Sequence, residues 1–396
     1  MKSESSSFRF LAQLCTRITD GTHQTPNYQD QGVIFISAKN IKGGQLDFAD
    51  RKYITREEHE FLTKSAKPAP GDLLLTKSGS LGDVAVIPEL DFEFSIFESL
   101  ALLKPRRDLV DPHYLYQYIR SPDAARHFHG ITTGLAVKHL HLGDLRKLKV
   151  FLPPLKHQRE LAAQLSAWDT AIQKTEQLIA AKERHYSHEL SRRFSEDRTA
   201  PRKYRLGEIA YVPQKLPESP KADDVYVLVR LYCKGIEKNE RQKKEPTKNG
   251  RPIFRRNAGE LLVGRQNIHN GGFGIVPKDL DGSLASNAIT SLRFHPEKAS
   301  ADYIFFYLSR PSHYKKLERV MGGTGQKEIS ESQLMTLTIP LPALHTQTAI
   351  ARYLNALRDE INLLNQSVEA YKAQKRGLMQ KLLTGQWRLP VQEEAD

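Results

Sequence analysis

Cysteine and long apolar runs are what this sequence has least of. Two cysteines, Cys15 and Cys233, occur in 396 residues. They lie at unrelated positions, which argues against a disulfide framework and a cysteine-based zinc site and fits a reducing cytoplasm. No apolar run approaches the roughly 18–20 residues that span a bilayer. The stretch from Phe8 to Cys15 is short and interrupted by Arg9, unlike a secretory signal, so a soluble cytoplasmic protein with no membrane contact is expected. Catalytic signatures are missing too. There is no G-x-x-x-x-G-K-[ST] phosphate loop, no H-E-x-x-H and no paired C-x-x-C. Pro153-Pro154 follows Leu152 rather than the Asn or Asp of an amino-methyltransferase tetrad. Asp72 and Lys77 lack the spacing and the second acid of a nuclease. His127, His129, His139 and His141 cluster near a turn without an evident carboxylate or thiol partner. No catalytic residue, metal or cofactor is therefore expected in this chain.

Positive charge and repetition are what it has. Lys and Arg number 59 against 46 Asp and Glu, a formal charge of +13. An excess of this size favours an anionic partner, most commonly nucleic acid. From Lys138 to Ile172 the sequence matches Lys327 to Ile361 at a constant offset of 189 residues, through Leu145/Leu334, Leu152/Leu341, Pro153/Pro342, Gln158/Gln347 and Leu165/Leu354. Tyr114, Leu115, Tyr118, Ile119 and Pro122 recur as Tyr303, Ile304, Tyr307, Leu308 and Pro311. Pro70–Leu74 recurs as 258–262 at an offset of 188, which aligns Lys77 with Arg265. Residues 1–65 and 204–255 hardly match. A frame is repeated and the early strands and loops diverge, as expected if each half recognises something different. A duplicated chain can acquire an approximate two-fold axis, and so can double-stranded DNA.

The repeats begin as mixed, strand-rich structure with frequent turns. Thr55 caps a short helix to Leu62, with Glu58 three residues on, and Pro70-Gly71-Asp72 turns into the strand Leu73–Leu75. After Pro153-Pro154 and Pro342 the texture changes. Residues 156–194 and 345–383 contain no proline and one glycine, Gly377. Apolar residues fall at steps of three and four: Leu161, Leu165, Trp168, Ile172 and Ile179 in the first run, and Ile350, Leu354, Leu357, Ile361, Leu364 and Val368 in the second. This is heptad spacing. Thr175 and Lys182 are poor seam residues in it. The short link from Ser195 to Tyr204 requires the helices, if paired, to be antiparallel. The expected fold is α+β: two strand-rich α/β domains, each followed by a long helix, the two helices forming an antiparallel coiled coil. The boundaries are 1–152 and 201–341 for the domains, 153–200 and 342–390 for the helices, and 391–396 for a tail.

Candidate DNA contacts come from the loops. Lys234 to Arg256 holds nine basic residues, among them Lys234, Lys243, Lys244, Lys248, Arg251, Arg255 and Arg256, between Tyr232 and Phe254. Such a loop suits a phosphate backbone. Arg265, Gln266, Asn267, His269 and Asn270 follow, and Arg, Gln and Asn can pair bidentately with guanine and adenine edges. In the first half Thr22, His23, Gln24, Thr25, Ser37, Lys39, Asn40, Lys77 and Ser78 are the equivalents. The repeated lysines Lys138 and Lys327 complete the set.

In these residues the chain resembles the specificity subunits of Type I restriction–modification systems. The resemblance rests on 20–26 (DGTHQTP), 35–41 (FISAKNI), 71–79 (GDLLLTKSG), 264–271 (GRQNIHNG), the repeated L-P-x-L-x-x-Q before each long helix, and 374–385 (QKRGLMQKLLTG). It implies two target-recognition domains that read a split, asymmetric DNA sequence, with no catalysis in the subunit. It further implies two methyltransferase subunits using S-adenosylmethionine, and through them restriction subunits using ATP and Mg. A self-contained DNA-modifying enzyme and a coiled-coil scaffold are the alternatives.

Overall fold

The structure, a computed structural model, describes residues 7–131, 139–195, 202–219, 221, 223–240, 252–321 and 327–387. It divides into two compact units, Met1–Glu176 with Gln366–Asp396, and Gln177–Asn365. In chain order the first repeat gives β1 (Ser7–Phe10), α1 (Leu11–Leu14), β2 (Cys15–Asp20), β3 (Val33–Ile36), β4 (Ile41–Lys42), β5 (Gln45–Leu46), β6 (Lys52–Ile54), α2 (Arg56–Thr63), β7 (Leu73–Thr76), β8 (Val84–Val86), β9 (Phe94–Ile96), β10 (Leu100–Pro105), α3 (Pro112–Ile119), α4 (Pro122–Ile131), α5 (Leu142–Arg146), β11 (Lys149–Leu152) and the long α6 (Leu155–Ser195). The second gives β12 (Lys203–Arg205), α7 (Leu206–Ile209), β13 (Ala210–Tyr211), β14 (Val227–Val229), β15 (Ile236–Lys238), β16 (Ile253–Arg256), β17 (Leu261–Gly264), β18 (Phe273–Ile275), β19 (Ser283–Ser286), β20 (Ile289–Phe294), α8 (Ala301–Leu308), α9 (Pro311–Tyr314), α10 (Glu331–Thr336), β21 (Thr338–Pro340) and the long α11 (Leu344–Leu382). Among the described residues no helix is long and apolar enough to cross a membrane.

The frame repeats strand for strand. Sheet β2-β10-β7-β8 in the first unit matches β13-β20-β17-β18 in the second, each with four antiparallel strands, and β1–β11 matches β12–β21. The divergent segments build different additions. In the first unit they add β3 and β6 beside β9, with β3 and β9 parallel, and the β4–β5 hairpin; in the second they add β14–β15 and β16, which pairs antiparallel with β19, the counterpart of β9 at the offset of 189. Strand alternation explains why each central sheet is apolar on both faces. Leu73, Leu75, Ala101 and Leu103 face one core, shared with α3 and the start of α6, while Leu74, Leu100 and Leu102 face a second core under the added strands. Leu261, Val263 and Leu292 do the first job in the second unit, and Leu262 with Val227 and Ala285 does the second. The Thr55 hydroxyl accepts from the Glu58 N–H at 3.1 Å, capping α2 as its spacing predicts.

The repeated glutamine ties each long helix to its domain. Buried Gln158 accepts from the Asp111 N–H (2.8 Å) and donates to the Leu109 and Pro153 carbonyls (3.0 and 2.8 Å). Gln347 accepts from the Ser300 N–H (3.0 Å) and donates to the Lys298 and Pro342 carbonyls (3.1 and 2.9 Å). Every partner obeys the offset of 189. The Tyr114 and Tyr303 hydroxyls donate to the Phe151 and Pro340 carbonyls, again in register.

Within each unit α6 and α11 pack antiparallel. In the first, Leu161, Ala162 and Leu165 share a core with Met379, Leu382 and Leu383, Trp168 meets the Tyr371 ring at 5.9 Å, Asp169 takes Lys375 at 2.6 Å and Glu176 takes Lys372 at 2.9 Å. In the second, Lys182 pairs with Glu360 (2.7 Å), Arg193 lies over the Tyr353 ring, and Leu190 and Phe194 join Ala351 and Leu354 in the core. Partner numbers fall as α6 numbers rise, which fixes the direction. Ile179 and Val368 are buried, whereas Ile172, Ile350, Leu357, Ile361 and Leu364 are half-buried. The two weak seam positions have their own explanations: Lys182 answers Glu360, and the Thr175 hydroxyl bonds back to the Ala171 carbonyl at 2.8 Å.

Burial works against the Asp169 carboxylate, but hydrogen bonds from Gln117 and Lys375 outweigh it and hold its pKa below the ordinary value. Lys375→Asp should therefore cost about 3 kcal/mol in urea unfolding, since it leaves a carboxylate opposed by another. The exchange D169K with K375D should recover most of that loss; no recovery would mean that the pair does not hold the helices together. Gln158→Leu strands three backbone groups and should cost about 2–4 kcal/mol by the same measurement. An unchanged midpoint would remove the glutamine from its anchoring role.

Candidate nucleic-acid interface

The turns after β2 and β7 carry the first unit's candidate residues. Gly21 is obligatory: a Cβ there would stand 2.0 Å from the Ile96 carbonyl oxygen. Thr22 follows, its hydroxyl accepting from the Gln24 N–H at 3.2 Å, and this leaves His23, Gln24 and Thr25 exposed. His23 reaches Glu98 at 2.8 Å through Nδ1 and Asp20 at 3.4 Å through Nε2. Lys77 does not reach the surface. Its side chain is buried and its ammonium is held by Asp20. Burial, then the Lys77 and His141 charges, lowers the pKa of neighbouring His139 below the ordinary histidine value. Asn40 is buried as well. Its Oδ1 accepts from the Ser37 N–H (3.0 Å) and its amide donates to the Asp47 and Asp50 carbonyls (both 2.9 Å), so it and Ser37 build a turn. Exposed Lys39 pairs with Asp50, and Ser78 is half-buried.

Lys77 and Arg265 turn out to be equivalent in the frame. The Lys77 N–H donates to the Ser99 carbonyl and its own carbonyl accepts from Leu140; the Arg265 N–H donates to the Ala288 carbonyl and its carbonyl accepts from Ile329. Both side chains also face an acid, since Arg265 lies 3.8 Å from Glu328. The expectation that both read bases gives way to a structural role for Lys77, while the Arg265 side chain stays partly accessible.

Arg255 and Arg256 are corrected in the same way. Arg255 binds Glu218 (2.5 and 2.9 Å), Asp224 (3.4 Å) and the Gly282 carbonyl (2.6 Å). Buried Arg256 donates to the Ser286 and Ile289 carbonyls and lies over the Phe254 ring. Arg255 ties β16 to Glu218, Asp224 and Gly282, and Arg256 ties it to Ser286 of β19 and Ile289 of β20, so both already have partners within the chain. Lys243, Lys244, Lys248, Arg251 and Lys138 lie outside the described residues. Lys234 is exposed, and Lys327 pairs with Glu318 at 2.9 Å.

The polar run after β17 stays available. Gln266 and Asn267 line an open cleft of about 320 Å³ with Asn239 and Ser286. The Asn270 amide meets His269 Nε2 at 3.1 Å. Packed against residues 268–270 is the turn Lys315–Val320, which carries exposed Lys315, Lys316 and Arg319. None of these three pairs with a carboxylate among the described residues. Sequence reading passed over them, although the run 313–319 (HYKKLER) is basic in itself. Among the described residues no group of three or more His, Cys, Asp or Glu could hold a metal ion.

A duplicated frame that carries unlike additions and exposed basic and amide side chains in its loops is the architecture of a DNA-recognition protein. Residues 6–183 and 205–370 match the family described as the Type I restriction modification DNA specificity domain. The chain belongs to that family, and it is a specificity subunit. It is 24% identical over 405 residues to the putative type I restriction enzyme MjaX specificity subunit of Methanocaldococcus jannaschii, covering 96% of this chain and 93% of the relative. Its fold is similar to that of the type I restriction–modification S subunit from M. genitalium, with a TM-score of 0.62, 13% identity and 97% of each chain covered. A chain from a structure concerning complex assembly and conformational transition of the type I R-M system matches with a TM-score of 0.55 and 16% identity, over 96% of this chain and 98% of that one.

Replacing Lys315, Lys316 and Arg319 with Ala should weaken DNA binding and reduce the slope of log K against log salt by about one for each phosphate no longer neutralised. An unaltered slope would take this turn out of the interface. Next to it, burial, with the Arg310 and Lys316 charges, pushes the His313 imidazole down from 6.5 to about 4. A folded pKa below the unfolded one means that the unfolded chain takes up the proton more readily. The stability held above pH 6.5 then diminishes as pH falls towards 4. His313→Phe should flatten that decline in thermal unfolding, and an equal decline would assign it to other groups.

Proposed function

We propose that this chain is the non-catalytic reader of a split, asymmetric DNA target. The observation that carries the reading is a repeated frame bearing unrepeated strands: equal central sheets and equal glutamine anchors support β3 with β6 and the β4–β5 hairpin in one unit and β14–β15 with β16 in the other. Equal frames supply equal attachment, while unequal additions supply different base contacts. In this reading α6 and α11 act as a ruler for the gap between the half-sites. Domains approaching one face of the duplex favour half-sites about 10 bp apart, centre to centre.

The same reading gives the chain two methyltransferase subunits and, through them, restriction subunits. S-adenosylmethionine, ATP and Mg then belong to those partners, and the complex works in the cytoplasm. The kinship with named specificity subunits supports this division of labour.

The test is to co-express the chain with its cognate amino-methyltransferase and map methylated adenines across the host genome. A two-part motif with unlike halves and a fixed gap is expected. A contiguous or palindromic motif would contradict the split reading, and methylation by this chain alone would contradict the non-catalytic one.

A further inference from the structure

We infer that Tyr232 is a base-contacting side chain of the second domain, presented to duplex DNA by a strained turn. The inference rests on the DNA-reading role proposed above. Tyr232 (φ 59°) and Cys233 (φ 57°) are the only non-glycine residues with positive φ among the described residues. Side chains with a Cβ are crowded in that region, and two in succession are rarer still. Such strain persists where the surroundings over-determine it, and it gathers at functional sites.

The surroundings here do over-determine it. The Tyr232 N–H donates to the Asn270 carbonyl and the Cys233 N–H to the Gly271 carbonyl, both at 2.8 Å, and the Arg230 N–H closes the loop on the Gly235 carbonyl at 2.9 Å. Gly271 makes room for this approach: a Cβ there would lie 2.9 Å from both the nitrogen and the sulfur of Cys233. Cys233 packs against the core of the second unit, while Tyr232 is left 66% exposed and Leu231 37% exposed. A large ring held in water by a strained backbone does nothing for the stability of the chain. It makes sense as a group waiting for a surface.

The neighbourhood identifies that surface. The turn docks on Asn270 and Gly271, at the end of the short run that follows Gln266 and Asn267. Exposed Lys315, Lys316 and Arg319 sit on the turn packed against residues 268–270 of that run, and exposed Lys234 follows Tyr232 by two positions. An exposed aromatic ring whose turn shares one short run with three cations and with base-pairing amides matches a duplex, whose phosphates take the cations and whose bases offer apolar contact in the groove or between steps.

The full-length chain and its Tyr232→Ala, Tyr232→Phe and Tyr232→Gly variants would be titrated with two duplexes. One carries the motif read from the methylation map, and the other has the half assigned to the second domain scrambled. Tyr232→Ala and Tyr232→Gly should bind the motif duplex about tenfold or more weakly, as expected when a base-contacting group is removed, and change little on the scrambled one. Tyr232→Phe should bind as wild type, because the ring makes the contact. Tyr232→Gly relieves the strained φ and should melt no lower than wild type, which separates a binding defect from a folding defect. If wild type discriminates the duplexes and Tyr232→Ala binds both as wild type does, the inference falls and the proposed function stands. Equal weakening on both duplexes would make Tyr232 a sequence-blind contact and also overturn it. If wild type does not discriminate, the proposed function falls and takes this inference with it.

Discussion

The fixing of two long helices onto two like sheets is the constraint on which the rest depends. A single buried glutamine at each helix start satisfies one backbone N–H and two carbonyls from three points of the chain. Each bond alone contributes about 1 kcal/mol, but removing the side chain would strand all its partners in a dry interior. The helix therefore leaves its domain at a set angle, and the antiparallel seam extends that geometry. The duplicated frame gives each unit the same anchoring in construction.

The seam itself is not symmetric in chemistry. In the first unit it closes with Trp168 on Tyr371 and with Asp169 and Glu176 on lysines of α11; in the second it closes with Lys182 on Glu360 and Arg193 over Tyr353. Polar contacts that do not repeat at the offset of 189 make α6 complementary to α11 rather than to itself, as in coiled coils whose polar positions choose the partner. The same economy governs the arginines. Arg255 and Arg256 stand in the most basic stretch of the sequence, yet they bond to acids and carbonyls within their own unit. Net charge announced an anionic partner and did not say which cations were free to meet it.

Much of the frame was legible. Heptad spacing, the offset of 189 and the short link after α6 were enough for two domains and an antiparallel pair, and the Thr55 cap could be read from Glu58 alone. The site was far less so. Lys77 and Asn40 look like loop residues facing solvent, and only the fold brings the Asp20 carboxylate to the one and the Asp47 and Asp50 carbonyls to the other. Lys315, Lys316 and Arg319 were missed because their importance comes from packing against residues 268–270, about fifty positions earlier. The strain at Tyr232 is invisible to any reading of residue type. Local propensity reports on neighbours in sequence, and a recognition surface is assembled from neighbours in space.

The most direct measurement is the methylation motif of a chain with one heptad inserted into α6 and one into α11 at facing positions. Seven residues keep the seam in register and add about 10 Å, or roughly three base pairs. If the paired helices set the gap, both half-sites stay the same and the spacer between them lengthens by about that much. An unchanged spacer in a stably folded, methylation-competent variant would contradict the ruler and leave the helices as mere attachment.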